Sequence, residues 1–259
     1  MKKPRSILIT GASGGIGAAL ARAYSQPGIT LALTGRNADS LEKVVTACKA
    51  AGSEVTSAVL DITNESAVRS WVEAVDRQEA LDLVIANAGI TGGPADGKGL
   101  ESTDDVRRMM NINFHGMCNT IHPVIPAMQS RGRGQLALIG SLAALRGLPY
   151  SPSYCASKAA LKAYGDALRG SLRSYGIKVS VVLPGFVDTK LSRHVRGPKP
   201  FQMTADSAAR IVCKRLSRGH SLIAFPFMLY FGTRVLAALP TALADSLLNR
   251  VQVDIQRYE

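Results

Sequence analysis

The sequence ILITGASGGIGAAL, residues 7–20, joins a short apolar run to an alanine-rich helical pattern through four glycines. Backbone that turns sharply and approaches another group closely has no room for a Cβ atom. A strand that ends in such a turn and leads directly into a helix collects unpaired N–H groups and the positive end of the helix dipole at one point. The stretch therefore predicts a strand, a phosphate-binding loop and a helix.

The four glycines fit two spacings. Gly11, Gly15 and Gly17 form G-x-x-x-G-x-G, whereas Gly11, Gly14 and Gly17 form G-x-x-G-x-x-G. Neither spacing is specific for one class of nucleotide site by itself. The loop alone therefore predicts a bound phosphate without identifying the ligand.

Apolar, β-branched runs of strand length alternate with helical patterns along the chain. Short, nearly all-apolar strands separated by helices indicate a parallel sheet that is covered on both faces. We predict one α/β domain with a doubly wound parallel sheet. The predicted strands are residues 6–10, 29–34, 55–60, 81–86, 135–140 and 178–183, and the clearest helices are 40–52 and 66–75.

Composition argues against several classes of protein. The four cysteines show no C-x-x-C pair and no metal-ligand spacing with the four histidines, which predicts free thiols, no metal site and a cytoplasmic location. The first apolar run is too short for a signal peptide. The net charge of +12 favours anionic partners. We expect no nucleic-acid binding, because the chain has no recognisable reading helix or aromatic stacking platform.

Small or polar residues follow each later predicted strand. In a doubly wound fold these positions face one crevice beyond the carboxyl ends of the strands, where ligands bind. Any one of them alone is better explained as a turn former, but their coincidence at every strand favours a site. The positions are Gly35-Arg36-Asn37, Asp61, Asn87-Ala88-Gly89, Ser141 and Pro184-Gly185.

A second pattern lies in SPSYCASKAALKAYG, residues 151–165. Tyr154 and Lys158 are four residues apart on a helical pattern and therefore project from one face. Y-x-x-x-K alone is common by chance. Here, however, Ser141 stands thirteen residues before the tyrosine, at the end of a predicted strand.

The combined pattern resembles the short-chain dehydrogenase/reductase family in its shorter, single-domain branch. The resemblance favours the G-x-x-x-G-x-G spacing and implies a Rossmann-type fold. Residues 1–189 would form the cofactor and catalytic core, and residues 190–259 the substrate lid and a small helical C-terminal lobe. The matching residues are Thr10-Gly11-x-x-x-Gly15-x-Gly17, Asp61, Asn87-Ala88-Gly89, Asn113, Ser141, Tyr154-x-x-x-Lys158 and Pro184-Gly185-x-x-x-Thr189.

The resemblance also implies catalytic roles. Tyr154 would donate a proton to the carbonyl oxygen as hydride leaves the nicotinamide. The positive charge of Lys158 would lower the pKa of this tyrosine, and the lysine would hydrogen-bond the nicotinamide ribose. Ser141 would hold the substrate oxygen, and Asn113 would position a water that relays protons to Lys158.

The end of the second predicted strand bears on the choice of cofactor. A carboxylate there would accept hydrogen bonds from the adenosine ribose of NAD, whereas this chain has Gly35 followed by Arg36. An arginine without a neighbouring carboxylate suits the extra phosphate of NADP, so we expect NADP(H) to be preferred over NAD(H), the alternative being that Arg36 is a solvated turn residue. By resemblance, the cofactor-binding residues would be Gly11, Ser13, Gly15, Ile16, Gly17, Arg36, Asp61, Asn87, Ala88, Gly89, Tyr154, Lys158, Pro184, Gly185, Val187 and Thr189.

These residues predict an NADP-dependent oxidoreductase acting on a ketone or a secondary alcohol. The alternative is a regulator that binds NADP without turnover, which the presence of all four catalytic residues disfavours. We also expect a homo-oligomer, most simply a dimer formed through the helices that contain Asn113 and Tyr154.

The C-terminal segment carries a signal of its own. Residues 190–220 contain eight Lys or Arg and one acid, with Arg210, Lys214 and Arg218 at helical spacing, and residues 221–248 are rich in aromatic and aliphatic side chains. One interpretation is that the apolar residues cover the sheet edge and wall the pocket. The other is a surface lying on an anionic membrane, which would deliver an acyl or lipid-like substrate. Both imply an apolar pocket with positive charge at its mouth.

Overall fold

The computed structural model of the protein describes residues 4–94, 99–248 and 254–255. Its strands are β1 Ser6–Thr10, β2 Thr30–Gly35, β3 Glu54–Val59, β4 Leu83–Ala86, β5 Gly134–Ile139, β6 Ile177–Pro184, β7 Val187–Asp188, β8 Val195–Arg196, β9 Met203–Thr204, β10 Leu222–Phe225 and β11 Asp254–Ile255. Its helices are α1 Gly15–Tyr24, α2 Ala38–Ala50, α3 Glu65–Gln78, α4 Thr103–Met110, α5 Gly116–Ile121, α6 Ile125–Ser130, α7 Pro152–Leu172, α8 Lys190–Arg193, α9 Ala205–Ser217, α10 Phe227–Ala238 and α11 Thr241–Leu248.

Seven strands form one parallel sheet in the order β10-β6-β5-β4-β1-β2-β3. The chain moves outward from β1 to β3 and then crosses back to β4, so the strand order reverses between β1 and β4. This is the predicted doubly wound α/β architecture of Rossmann type, and the reversal is the point at which such sheets bind ligands. The predicted strands agree with β1 to β6 within two residues at each end.

The core lies in two layers, one on each face of the sheet. Along β1, Ile7 and Ile9 pack with buried residues of α1, α2 and α9, whereas Leu8 packs on the other face with buried residues of α3, α5 and α7. Successive side chains of a strand point to opposite faces, and both faces here are covered by helices. This explains why the central strands are mostly apolar on both faces, whereas the edge strand β3 is largely exposed and contains polar residues.

The strand β10 was not predicted from the sequence. Ile223 and Phe225 belong to one buried cluster and Ala224 to the other, so the strand is sandwiched like its neighbours. Its four residues open the apolar segment 221–248, in which neither a strand nor a helical period stands out. The segment therefore does extend the sheet edge, with α10 following directly after Pro226.

The helix α9 packs against α1, and Asp206 of α9 forms an ion pair with Arg22 of α1 at 3.1 Å. Arg210, Lys214 and Arg218 are exposed on the outer side of this helix and at its end. Among the described residues, no helix is both long enough and apolar enough to cross a membrane.

Candidate active site

Three glycines shape the turn between β1 and α1. Gly11 and Gly15 have φ angles of +67° and +55°, in the left-handed region that side chains rarely enter. A Cβ on Gly17 would overlap the carbonyl oxygen of Gly11 and lie 2.6 Å from Nδ2 of Asn87. Gly14 has extended backbone and open space where a Cβ would lie. The geometry therefore requires glycine at the positions of G-x-x-x-G-x-G and leaves Gly14 free to vary.

Asn87 ties the end of β4 to the glycine turn. Its Nδ2 donates to the carbonyl oxygens of Thr10 and Gly11 at 3.0 and 3.2 Å. The backbone N–H groups of Asn87 and Ala88 donate to Oγ1 of Thr10 at 3.1 and 3.3 Å. These bonds join β1 and β4 at the reversal of strand order, so they hold the floor of the crevice where a ligand is expected.

A cavity of about 480 Å³ follows the carboxyl ends of β1 to β6. It brings together every expected site residue except Gly17 and Asn113, which are buried and do not reach its wall. The expected residues in the wall are Gly11, Ser13, Gly15, Ile16, Arg36, Asp61, Asn87, Ala88, Gly89, Ser141, Tyr154, Lys158, Pro184, Gly185, Val187 and Thr189.

Asn113 lies in a π-helical turn, Asn111–His115, between α4 and α5. Its Oδ1 accepts from the N–H of Ile90 at 2.8 Å, and its Nδ2 donates to the carbonyl oxygen of Ile90 and to Oγ of Ser157, both at 3.0 Å. The side chain therefore holds the loop after β4 against α7. A water relay through Asn113 stays a prediction, and it would have to coexist with these bonds.

Tyr154 and Ser141 meet across the catalytic end of the cavity. Tyr154 lies in the first turn of α7, which begins at Pro152, and Ser141 follows β5. Burial raises the pKa of the Tyr154 phenol to about 12, and a side-chain hydrogen bond with Ser141 offsets part of this shift. The protein alone therefore does not have the lowered Tyr154 pKa expected from Lys158, because loss of water outweighs the favourable contacts.

Lys158 lies one turn further along α7. Its Nζ is 5.8 Å from the centre of the Tyr154 ring and donates to the carbonyl oxygen of Ile139 at 3.1 Å. Burial lowers the pKa of this lysine to about 8, because an ammonium loses water there. The charged form is therefore still the major one at neutral pH.

Arg36 and Asp61 lie together at the other end of the cavity. The N–H of Thr63 holds the pKa of Asp61 below its usual range, and the Arg36 charge adds a smaller effect in the same direction. Arg36 therefore has a nearby carboxylate that its sequence neighbours do not reveal. A Cβ on Gly35 would lie 2.7 Å from Oγ of Ser13, so Ser13 fills the space of a side chain at position 35.

Thr189 packs against the glycine turn between β1 and α1. A Cβ on Gly15 would lie 3.2 Å from Cγ2 of Thr189. Thr189 also caps α8, accepting from the N–H of Ser192 at 3.2 Å while Ser192 Oγ bonds the Thr189 backbone. Thr189 thus packs against the start of α1 while its side chain caps the helix that follows it.

The substrate end contains residues that the sequence analysis missed. Its wall beyond Ser141 includes Leu142, Leu148, Leu229 and the cation Arg146. In the sequence, the position of Arg146 five residues after Ser141 was the only indication that it lies near the site. Of the eight cations predicted near the mouth, only the exposed Lys190 lies in the cavity wall, and the basic stripe Arg210, Lys214 and Arg218 lies outside it.

A family model described as short chain dehydrogenase matches residues 5–199 of the chain. An uncharacterized oxidoreductase from Myxococcus xanthus is 36% identical over 96% of this chain and 98% of its own length. A Bacteroides thetaiotaomicron protein named 3-ketodihydrosphingosine reductase is 35% identical over 72% of this chain. The chain spans 65% of that relative, just under two thirds of its length.

Solved structures share the fold. A short chain dehydrogenase from Burkholderia cenocepacia in complex with NADP is 28% identical, with a TM-score of 0.78 over 95% of this chain and 98% of that one. One from Mycobacterium paratuberculosis bound to NAD is 25% identical, with a TM-score of 0.73 over 85% of this chain and 95% of that one. Proteins similar to this chain therefore bind either nicotinamide dinucleotide.

Proposed function

Because the chain belongs to the short-chain dehydrogenase/reductase family, we propose that it is an NADP-dependent oxidoreductase that transfers hydride between nicotinamide and a ketone or secondary alcohol. The observation that carries the proposal is the meeting of Ser141, Tyr154 and Lys158 in the wall of one cavity. These side chains lie at the carboxyl end of the sheet, where doubly wound folds bind ligands.

The cavity wall fits a nicotinamide dinucleotide. Gly11 and Gly15 leave the turn before α1 free of side chains, so a pyrophosphate can approach the N–H groups at the helix start. A Cβ on Gly89 would lie 3.0 Å from Oδ1 of Asn113 and 3.4 Å from Nζ of Lys158, so glycine keeps this part of the wall open. The bound dinucleotide would supply or accept the hydride.

The protein's own groups manage the oxygen and the proton. The hydrogen bond between Ser141 and Tyr154 brings their hydroxyl groups together, and the substrate carbonyl oxygen would bind against this pair. In reduction the carbonyl carbon gains the hydride, and its oxygen gains the proton of the Tyr154 phenol. The raised pKa keeps that proton on the phenol until charge develops on the oxygen. Lys158 then stabilises the resulting phenolate with its ammonium group.

Two features support a preference for NADP. Arg36 lies exposed at the end of β2, where its planar fork can bind a ribose phosphate. Ser13 occupies the space next to Gly35, so a carboxylate at position 35, which would favour NAD, has no room. Asp61 lies near Arg36 and would contact the adenine side, with its charge balanced by the arginine.

We propose an apolar, acyl or lipid-like carbonyl substrate. Leu142, Leu148 and Leu229 line the cavity beyond the catalytic residues and favour burial of an aliphatic chain. The Bacteroides relative is named for a keto lipid, which is the same chemical class.

The test is loss of NADPH absorbance with a series of ketones of increasing chain length. We expect turnover to rise with chain length and to depend on Tyr154. If the protein binds NADPH and reduces none of these ketones, while wild type and Tyr154→Phe behave alike, the regulator without turnover becomes the better description.

Peripheral contact with an anionic membrane is a further part of the proposal. Phe227 and Phe231 of α10 are 69% and 56% exposed and stack on each other with ring centres 6.2 Å apart. Leu243 and Leu247 of α11 are also exposed. Leu229 and Thr233 of α10 line the cavity, so this helix separates the exposed apolar side chains from the substrate site.

The location and the oligomeric state stay predictions. The four cysteines are free thiols, which suits the expected cytoplasmic location. A dimer through the helices around Asn113 and Tyr154 is testable by the mass of the protein in solution.

A further inference from the structure

A cation lines the substrate end of the cavity. Arg146 follows the short helical turn Leu142–Ala144, and its side chain is 22% exposed. The cavity wall also contains the apolar side chains of Leu142, Leu148 and Leu229. A guanidinium that is partly withdrawn from water requires compensating contacts, which apolar side chains cannot provide.

The protein provides few hydrogen-bond acceptors for the N–H donors of this guanidinium. Nη2 of Arg146 donates to Oδ1 of Asp245 in α11, an acid that is 53% exposed. Nε of Arg146 is buried and has no hydrogen-bond partner within the described part of the chain. Buried polar atoms without partners are uncommon in folded proteins, and arginine has five N–H donors to place. The arrangement is therefore incomplete around Arg146.

Negative charge is scarce in the cavity wall. Among the described residues, Asp61 is the one carboxylate of the wall, and it lies near Arg36 at the opposite end of the cavity. Asp245 reaches Arg146 from α11 and does not belong to the wall. Apart from Lys158, the cations of the wall are Arg36, Lys190 and Arg146. Arg36 and Lys190 are exposed, so Arg146 is the one among them that offers a partly buried charge to an anion in the cavity.

We infer that Arg146 is a specificity-determining residue whose guanidinium binds a carboxylate or phosphate carried by the apolar carbonyl substrate. The planar fork binds such an oxyanion through two parallel N–H···O bonds, which Asp245 does not provide in the geometry seen here. Asp245 holds the guanidinium near the cavity and competes with the substrate for it. The inference rests on the proposed function, which assigns the carbonyl group of the substrate, and adds an anionic group to that substrate.

The kinetic test compares methyl ketones that end in a carboxylate, in a phosphate or in a neutral primary amide, at several chain lengths. We expect the wild-type kcat/KM for the better oxyanion to exceed that for the amide by about tenfold at the best length. The phosphate and carboxylate series show which oxyanion is preferred. Arg146→Gln should bring the ratio of oxyanion to amide close to one, and Asp245→Asn should raise it above the wild-type ratio.

A control removes another, more exposed Arg–Asp ion pair outside the cavity wall. Arg193 pairs with Asp188 at 3.4 Å, and neither residue is in the cavity wall. Arg193→Gln should keep the wild-type ratio. If Arg146→Gln lowers kcat/KM for the oxyanion and the amide equally, the arginine only anchors α11 and the inference is overturned.

A binding measurement separates this inference from the proposed function. Calorimetry with NADPH present compares a fatty acid and its primary amide, neither of which can be reduced as a ketone. Tighter binding of the acid that is lost in Arg146→Gln supports the anion site even if no ketone is turned over, in which case the proposed function alone fails. Equal affinity for acid and amide in the wild type overturns the anion site whatever the turnover.

Discussion

Lys158 donates from its buried Nζ to the carbonyl oxygen of Ile139, 3.1 Å away, at the end of β5. The bond fixes the lysine against the sheet, one turn of α7 from Tyr154. Burial lowers the pKa of Lys158 from 10.5 to about 8, so its proton is lost just above neutral pH. This makes the pH profile a direct probe of the site.

We predict that kcat/KM for carbonyl reduction falls as pH rises through about 8, because the ammonium of Lys158 becomes neutral there. Folding stability should move in the opposite direction. The unfolded lysine keeps its proton up to pH 10.5, whereas the folded lysine loses it at about 8. The free energy of unfolding therefore rises with pH between about 8 and 10.5, and this contribution is lost as pH falls. Urea unfolding at several pH values measures this pH dependence of the free energy of unfolding, and Lys158→Met should remove the part that Lys158 contributes. An activity profile unchanged across this range would contradict the assignment.

Removal of the Tyr154 hydroxyl tests the proton donor. We predict that Tyr154→Phe folds and binds NADPH but loses at least about a hundredfold in kcat, the usual contribution of general acid catalysis. Tyr164→Phe is the matched control, because Tyr164 lies on the same helix and bonds His122 at 2.6 Å outside the cavity. Retention of kcat within a few-fold in Tyr154→Phe would exclude it as the donor.

Reversal of the charge at Arg36 tests the cofactor preference. We predict that Arg36→Asp raises KM for NADP by about tenfold or more and changes KM for NAD far less, because a charge-assisted bond to the ribose phosphate is lost. Lys43→Asp makes the same change of charge on the exposed side of α2 and should leave both constants near the wild type. Equal effects of Arg36→Asp on NADP and NAD would remove the phosphate role.

The glycine spacing makes a prediction about stability. Gly17→Ala should destabilise the fold by about 1–3 kcal/mol, because its Cβ would overlap the carbonyl oxygen of Gly11. Gly14→Ala places its Cβ in open space and should keep both stability and NADPH affinity. Urea unfolding and NADPH fluorescence measure the two effects. If the two variants lose equal stability, the close packing of Gly17 against the turn is not what matters.

The exposed face of α10 predicts membrane binding. The double change Phe227→Ser and Phe231→Ser should reduce co-sedimentation with anionic vesicles, because the two stacked rings are the most exposed aromatic pair of this helix. A triple change of Arg210, Lys214 and Arg218 to Glu tests the basic stripe separately, and salt should weaken only that contribution. Wild-type protein that stays in the supernatant at low and physiological salt would rule out the membrane contact.

The local pattern of residues was sufficient to predict the fold class, and together with the family resemblance it identified part of the cavity wall. Strands that are buried on both faces must be apolar throughout, and turns at their carboxyl ends must be made of small or polar residues. These constraints act within a few neighbouring residues, so they are visible in the sequence from Gly11 to Thr189. The missed strand β10 has only four residues, too few for its pattern to stand out from the apolar helix that follows.

The tertiary structure decided the groups that depend on distant neighbours. Asp245 reaches Arg146 across 99 residues of chain, and the Tyr154 pKa depends on how completely the fold excludes water from the phenol. Neither the partner of a charge nor the loss of its hydration is a property of local spacing, because both arise only when separate elements pack together. The sequence by itself therefore determined the architecture and the candidate catalytic residues, whereas packing determined their protonation and the charge at the substrate end.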